Sequence, residues 1–161
     1  MSSPIRYGII GTGMMGCEHI LDIGALPAGE VVAITDPHPT SLEWARACLE
    51  DPERVTVHDT VESLLADRRL DAVVIATPNH THVDVLEAAL ATPLHVMVEK
   101  PLCTTVDACL RVRDLAADRD ALTWVALEYR YMPTIAALLD ELASGVCGRT
   151  RMVSIREHRF P

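Results

Sequence analysis

Short apolar runs alternate with helix-length amphipathic segments from residue 5 to residue 127, and few folds accept that order. The runs predict strands at 5–10, 30–36, 55–57, 71–77, 94–98 and 122–127. The segments between them predict helices at 14–26, 40–49, 61–66, 82–91 and 105–117. Pro37 and Pro39 precede the second of these, and Asp59 or Thr60 begins the third. Strand, crossover helix and parallel strand repeat without a break, and such crossovers are right-handed. The expected class is therefore α/β, a doubly wound parallel sheet with helices on both faces. Composition agrees: hydrophobic content is 49% and aromatic content only 4%, so Val, Ile, Leu and Ala must fill the core. Strands buried on both faces read as continuous apolar runs of this kind.

Beyond residue 127 the pattern changes. A helix is expected at 133–142, with Ile135, Leu138, Leu139 and Leu142 on its apolar face, and Gly145 and Gly148 close it. Residues 149–160 alternate as a half-buried antiparallel strand would, Met152 and Ser154 opposite Val153 and Ile155. The expected organisation is a Rossmann domain over 1–127 and, over 128–161, a connecting helix and the first strand of a truncated α+β domain. An unpaired strand edge there predicts self-association.

A net charge of −9 argues against nucleic acid or an anionic membrane as partner. Cys17, Cys48, Cys103, Cys109 and Cys147 are scattered, odd in number and without metal-ligand spacing, and read as reduced thiols. No signal peptide is recognisable, and no apolar run nears the ~18 residues of a membrane span. The cytoplasm is the expected location.

The first strand runs into Gly11-Thr12-Gly13-Met14-Met15-Gly16. In this spacing the first glycine permits a tight turn, the second lets backbone approach a pyrophosphate, and the third lets helix and strand pack closely. The pyrophosphate then lies on a helix N-terminus, where free N–H groups and the helix dipole favour negative charge. The plain alternative is a glycine-rich turn without a ligand. Here the motif follows a strand, opens a helix, and has Asp36 twenty residues past Gly16 at the end of the second strand. A carboxylate there accepts the ribose hydroxyls and repels a 2′-phosphate, and Pro37, His38 and Pro39 bring no cation to hold that phosphate. NAD is expected as cofactor in preference to NADP. Asp36 as a helix cap or turn residue is the alternative without a ligand.

Two further segments end strands at the same edge. Thr77-Pro78-Asn79-His80-Thr81-His82 follows the fourth strand, at the carboxyl edge where open α/β sheets bind ligands. Pro78 imposes an extended entry, and Asn79 or Thr81 is able to cap the next helix. His80 and His82 have no third ligand nearby, so they read as part of a loop beside the cleft, and no metal is expected. Met97-Val98-Glu99-Lys100-Pro101 ends the fifth strand and delivers a lysine. Oxidising a secondary alcohol removes its O–H proton as hydride leaves carbon. A lysine serves as the base where burial and neighbouring positive charge lower its pKa toward ~7–8. Otherwise it orients the hydroxyl as a charged donor. A surface lysine after a strand is the alternative.

Together the glycine turn, Asp36, the 77–82 loop and Glu99-Lys100-Pro101 resemble the N-terminal half of the Gfo/Idh/MocA oxidoreductases over nearly the whole chain. Glu128-Tyr129-Arg130-Tyr131-Met132-Pro133 is similar to the segment leading toward that family's second domain. Glu128 departs from it, standing where Asn or a neutral residue is expected. The resemblance implies a nicotinamide-dependent enzyme acting on a sugar, polyol or related secondary alcohol. Its second, largely antiparallel domain binds the substrate and builds a homo-oligomer. It implies Lys100 as the catalytic residue. As cofactor-binding residues it implies Gly11, Thr12, Gly13, Met14, Met15, Gly16, Asp36, Thr77, Pro78, Asn79, His82, Glu99, Lys100 and Arg130. The family's Asp-x-x-x-His pair is absent, since none of the seven histidines has Asp four residues before it. The chain alone is therefore expected to be catalytically incomplete. The alternative is a non-enzymatic NAD-binding sensor or interaction module, and Glu-Lys-Pro argues against other Rossmann reductases.

Overall fold

The computed structural model describes residues 3–156, which divide into two compact units, one ending at Ala126 and one beginning at Leu127. The first unit is a parallel six-stranded sheet of β1 (Ile5–Ile10), β2 (Gly29–Thr35), β3 (Thr56–Val57), β4 (Ala72–Ile75), β5 (His95–Val98) and β6 (Thr123–Val125). Helices α1 (Met14–Gly24), α2 (Pro39–Cys48), α3 (Val61–Leu65), α4 (His82–Leu90) and α5 (Val106–Ala116) fill the intervals. Strand order is β3-β2-β1-β4-β5-β6. This is the doubly wound order with its reversal between β1 and β4. All eleven elements fall on segments read from the sequence, with ends shifted by a few residues.

Alternation along each strand makes two cores. Ile10, Ala33, Val73, Ile75, Val96 and Val98 face one side, where Leu64 of α3, Leu86, Ala89 and Leu90 of α4 and Val112 of α5 cover them. Ile9, Ile34 and Val74 face the other, against Ile20 and Ile23 of α1 and Ala45 of α2. Successive residues thus bury opposite faces, as the strand period of two requires. Local signals fix the helix starts. The Thr60 hydroxyl accepts the Ser63 N–H at 3.1 Å while the Ser63 hydroxyl accepts the Thr60 N–H at 3.3 Å, a reciprocal cap for α3. Thr105 caps α5 by accepting the Ala108 N–H at 3.2 Å, and Pro39 opens α2. Arg119 donates to the carbonyls of Leu90, Thr92 and Leu94 at 3.0, 3.1 and 2.6 Å. It thereby satisfies the end of α4 and fixes the entry into β5.

The second unit holds a short 3₁₀ turn, Glu128–Tyr131, and α6 (Pro133–Ala143), with Gly145 and Gly148 at positive φ after it. The strand expected at 149–160 does not form over 149–156, which carry no regular structure and are exposed; 157–160 lie outside the described residues. Alternating pattern does not make a strand without a partner to take its backbone hydrogen bonds. Among the described residues, no helix is long and apolar enough to cross a membrane.

The sheet's thinnest edge is pinned by charge. β3 pairs with β2 over two residues only. Beside it, Arg69 donates to both carboxylate oxygens of Asp67 and reaches the Thr56 hydroxyl at 2.7 Å, and His58 Nε2 lies 3.2 Å from Asp67. The Arg69 guanidinium first, then the Arg69 backbone N–H and His58, holds the Asp67 carboxyl well below the usual carboxylate range. A lowered folded-state pKa contributes stability in full above the unfolded value near 3.8 and loses it as pH falls further. Asp67→Asn is expected to cost about 1–3 kcal/mol at pH 7, with the deficit shrinking below pH ~4. Urea titrations of both chains at pH 7 and pH 3 check this; equal midpoints at pH 7 refute it.

Candidate functional site

The reversal between β1 and β4 sends the loops after these two strands apart, and the crevice they leave opens at the carboxyl edge. Gly11, at φ +88°, turns the chain out of β1, and a Cβ there would stand 2.8 Å from the Ala76 carbonyl and the Thr77 nitrogen. Gly16 lies with its α-carbon against the Gly11 carbonyl oxygen, so any side chain would overlap backbone. Gly13 is different: a Cβ there meets nothing within 4 Å. The first and third glycines are demanded by the protein's own packing, whereas the second faces open space.

Several groups at that space lack internal partners. Gly13 occupies the N-cap of α1 with no side-chain cap, and the first turn carries no acidic residue. The leading N–H groups and the helix dipole are therefore left for an anion. Thr12 is fully buried, and its hydroxyl has no hydrogen-bond partner. Asp36 Oδ2 accepts the Thr12 N–H at 2.8 Å and Oδ1 accepts the His38 N–H at 2.8 Å. One backbone donor on each oxygen orients the carboxylate and leaves lone pairs for hydroxyl donors. A nucleotide cofactor fits these residues: N–H groups for its pyrophosphate at 13–16 and an oriented carboxylate for a ribose. The neighbouring Cys17 is no competing nucleophile, because burial, and then the adjacent Cys48, push its thiol up to about 11.

The loop after β4 is built from within. The Thr81 hydroxyl donates to the Pro78 carbonyl at 2.8 Å and accepts from the Thr77 hydroxyl at 2.9 Å, which closes the 3₁₀ turn Asn79–Thr81. Thr81 thus stands at the N-cap of α4 without capping it through its side chain. Pro78, Asn79 and His80 are exposed. His82 is fully buried, with Nε2 2.9 Å from the Thr77 carbonyl and Nδ1 2.9 Å from the Pro101 carbonyl. Its ring lies between two loops and is closed off from solvent.

Lys100 follows β5, is exposed, and precedes a cis bond to Pro101. Glu99 turns inward, 6% exposed; its Oε2 accepts the Lys100 N–H at 3.1 Å and its Oε1 lies 2.9 Å from His19 Nε2. Glu99 is thus oriented from within the protein, by α1 on one oxygen and by the backbone of its neighbour on the other. Met14 is exposed and Met15 half-buried beside the turn. Arg130, in the second unit, is exposed within its 3₁₀ turn. Among the described residues no group of three His, Cys, Asp or Glu side chains is arranged to hold a metal ion.

His19 was missed in the sequence. Its signal was a histidine three residues past Gly16 and four before Ile23, on the helix face that buries Gly16, Ile20 and Ile23. A polar residue on a buried face requires a partner.

The family model described as an oxidoreductase family with an NAD-binding Rossmann fold, Gfo/Idh/MocA, matches residues 5–127. The chain belongs to this family. Inositol 2-dehydrogenase 1 of Saccharopolyspora erythraea is 35% identical over 147 residues, covering 89% of this chain and 43% of that protein. D-xylose 1-dehydrogenase (NADP(+)) 2 of Haloferax volcanii is 31% identical over 159 residues, covering 98% of this chain and 47% of that protein. Among solved structures, the myo-inositol dehydrogenase of Lactobacillus casei in complex with NAD(H) and myo-inositol superposes with a TM-score of 0.81 at 33% identity. The match covers 90% of this chain and 43% of that one. The chain spans less than half the length of these curated relatives.

The glycine geometry separates two roles that the motif merges. Gly16→Ala is expected to lose more than about 2 kcal/mol of stability, since a Cβ overlaps backbone that cannot yield. Gly13→Ala is expected to fold normally and to lose no more than about 1 kcal/mol, the cost of a poorer N-cap residue. It should nevertheless bind NADH at least about tenfold more weakly, a loss of ~1.4 kcal/mol. Thermal melts and calorimetric titration of the two variants check this. Normal NADH affinity in Gly13→Ala refutes it.

Proposed function

We propose that this chain is the cofactor-binding part of a dehydrogenase that moves hydride between NAD and a secondary alcohol of a sugar or polyol. One observation carries the reading. The open face of Gly13, the oriented carboxylate of Asp36 and the exposed Lys100 all stand on loops at the carboxyl edge of one parallel sheet. The names of the relatives, inositol and xylose dehydrogenases, support the substrate class.

A nicotinamide supplies a two-electron hydride acceptor. The chain's own residues bind and orient. Backbone N–H groups at 13–16 hold the pyrophosphate, and Asp36 accepts the ribose hydroxyls. Lys100 donates to the substrate oxygen or takes its proton as the C–H bond breaks. Residues 1–127 form the cofactor domain in this reading, and 128–161, with Arg130, lead toward a substrate-binding domain that also builds a homo-oligomer. Five free cysteines among the described residues suit a cytoplasmic setting.

Asp36 also supports NAD over NADP, although one relative is named for NADP(+). Both carboxylate oxygens are pinned by backbone donors, so the charge cannot swing away from a 2′-phosphate. Residues 37–39 contain no Arg or Lys to neutralise it. Asp36→Ala is expected to weaken NADH binding by roughly 10-fold, in line with losing hydrogen bonds to a charged acceptor, and to narrow the preference against NADPH. Calorimetric titration tests it; tighter binding of NADPH than NADH by the unchanged chain sinks the preference.

Lys100→Met, in a chain that includes the substrate-binding domain, is expected to keep NADH affinity within a few-fold. It should cut kcat on inositol or a related polyol by ~10²–10⁴, the range for losing an acid–base group. Unchanged kcat would remove Lys100 from the reaction.

A further inference from the structure

Lys100 is the only lysine in the sequence, and both of its chain neighbours are held by a histidine. On one side is Glu99. Its buried carboxylate meets His19 Nε2 at 2.9 Å with one oxygen and the Lys100 N–H at 3.1 Å with the other. On the other side is Pro101, whose carbonyl lies 2.9 Å from His82 Nδ1. The histidines belong to different helices. His19 sits in α1, one turn beyond the glycine turn, and His82 is the first residue of α4.

The two contacts differ in kind. His82 joins backbone to backbone, from Thr77 to Pro101, and is fully buried. His19 grips a carboxylate, and a carboxylate so little exposed needs hydrogen-bond donors. Glu99 has one donor from a rigid helix and one from the lysine's own backbone. The helix donor therefore decides how the carboxylate is turned, and the carboxylate decides how the Lys100 N–H is turned.

We infer that His19 is a positioning residue that acts through Glu99 to lock the exposed lysine to the helix opening at the glycine turn. This rests on the cofactor reading proposed above. In that reading the pyrophosphate lies at the start of α1, and His19 makes the same helix carry the orientation of Lys100. Cofactor and lysine then keep one register. Charge-assisted hydrogen bonds of this length are short and directional enough to transmit position and not merely to fill space.

The single lysine makes the test direct. The chain grown with ¹³C-labelled lysine yields one side-chain resonance, and NAD⁺ is expected to displace it. His19→Gln retains an N–H donor toward Glu99 and should preserve that displacement. His19→Leu should lose at least half of it, with NAD⁺ affinity changed less than about threefold. It should also speed amide exchange at Lys100 by roughly tenfold or more, as expected on losing a hydrogen bond to a charged group. Unchanged exchange and an unchanged resonance response in His19→Leu would overturn the inference. So would equal losses in His19→Gln and His19→Leu, which would reduce the residue to its volume. A wild-type resonance indifferent to NAD⁺ defeats the cofactor reading, and Lys100 amide exchange in the free chain still judges the His19 link. If His19→Leu does not fold, Glu99→Gln, with the same shape and no charge, is expected to speed that exchange likewise. Failure of both to fold overturns the positioning role in favour of a purely structural one.

Discussion

The approach of Gly16 to the Gly11 carbonyl fixes the geometry of everything around it. Helix α1 can start only where two backbones meet without a side chain between them. That contact sets the angle at which the helix leaves β1, and with it the direction of the unpaired N–H groups. It also sets the height of Thr12, whose N–H reaches Asp36 at the end of the neighbouring strand. Three strand ends are in this way drawn into one crevice: β1 through its own turn, β2 through Asp36, and β4 through the contact of Gly11 with residues 76 and 77. A methyl group at position 16 would loosen all three.

An acidic chain of net charge −9 would repel an anionic cofactor if the charge were uniform. The crevice escapes this by using backbone. Its anion-directed groups are the N–H dipoles at the head of α1, where no acidic side chain intrudes. Full charges appear at Asp36, oriented by two backbone N–H groups, and at Lys100, whose backbone N–H is held by Glu99. Glu99 is withdrawn below the surface and meets the half-buried His19. The site is polar by geometry more than by composition, so net charge alone says little about what it binds.

The sheet and its covering helices were legible because period-two and helical patterns persist over long windows, and because both faces of each central strand are apolar. Val73 and Val74, adjacent in sequence, bury opposite cores, and such pairs mark a doubly covered strand. The glycine turn, Asp36 and Lys100 were legible because their spacing is local. What the sequence hid is pairing across long separations. Nothing near His19 announces Glu99, eighty positions away. Nothing near His82 announces that both ring nitrogens face carbonyls, so the sequence places it only in a loop beside the cleft. The segment 149–156 misled for a related reason: alternation describes which faces a strand would have, and a strand exists only once a partner takes its backbone bonds.

The two histidines also bear on how far an exposed lysine can range. A lysine side chain carries about 2 kcal/mol of rotamer freedom, and a loop after a strand adds backbone freedom to it. The side-chain freedom remains, since Lys100 itself is exposed. The backbone freedom does not, because residues 99 and 101 are each tied to a packed helix. With the backbone held, the ammonium sweeps a small volume above β5 and not the whole mouth of the crevice. Effective concentration of a reacting group rises as the volume it explores falls. The two histidines therefore confine the lysine's reach without touching its charged end.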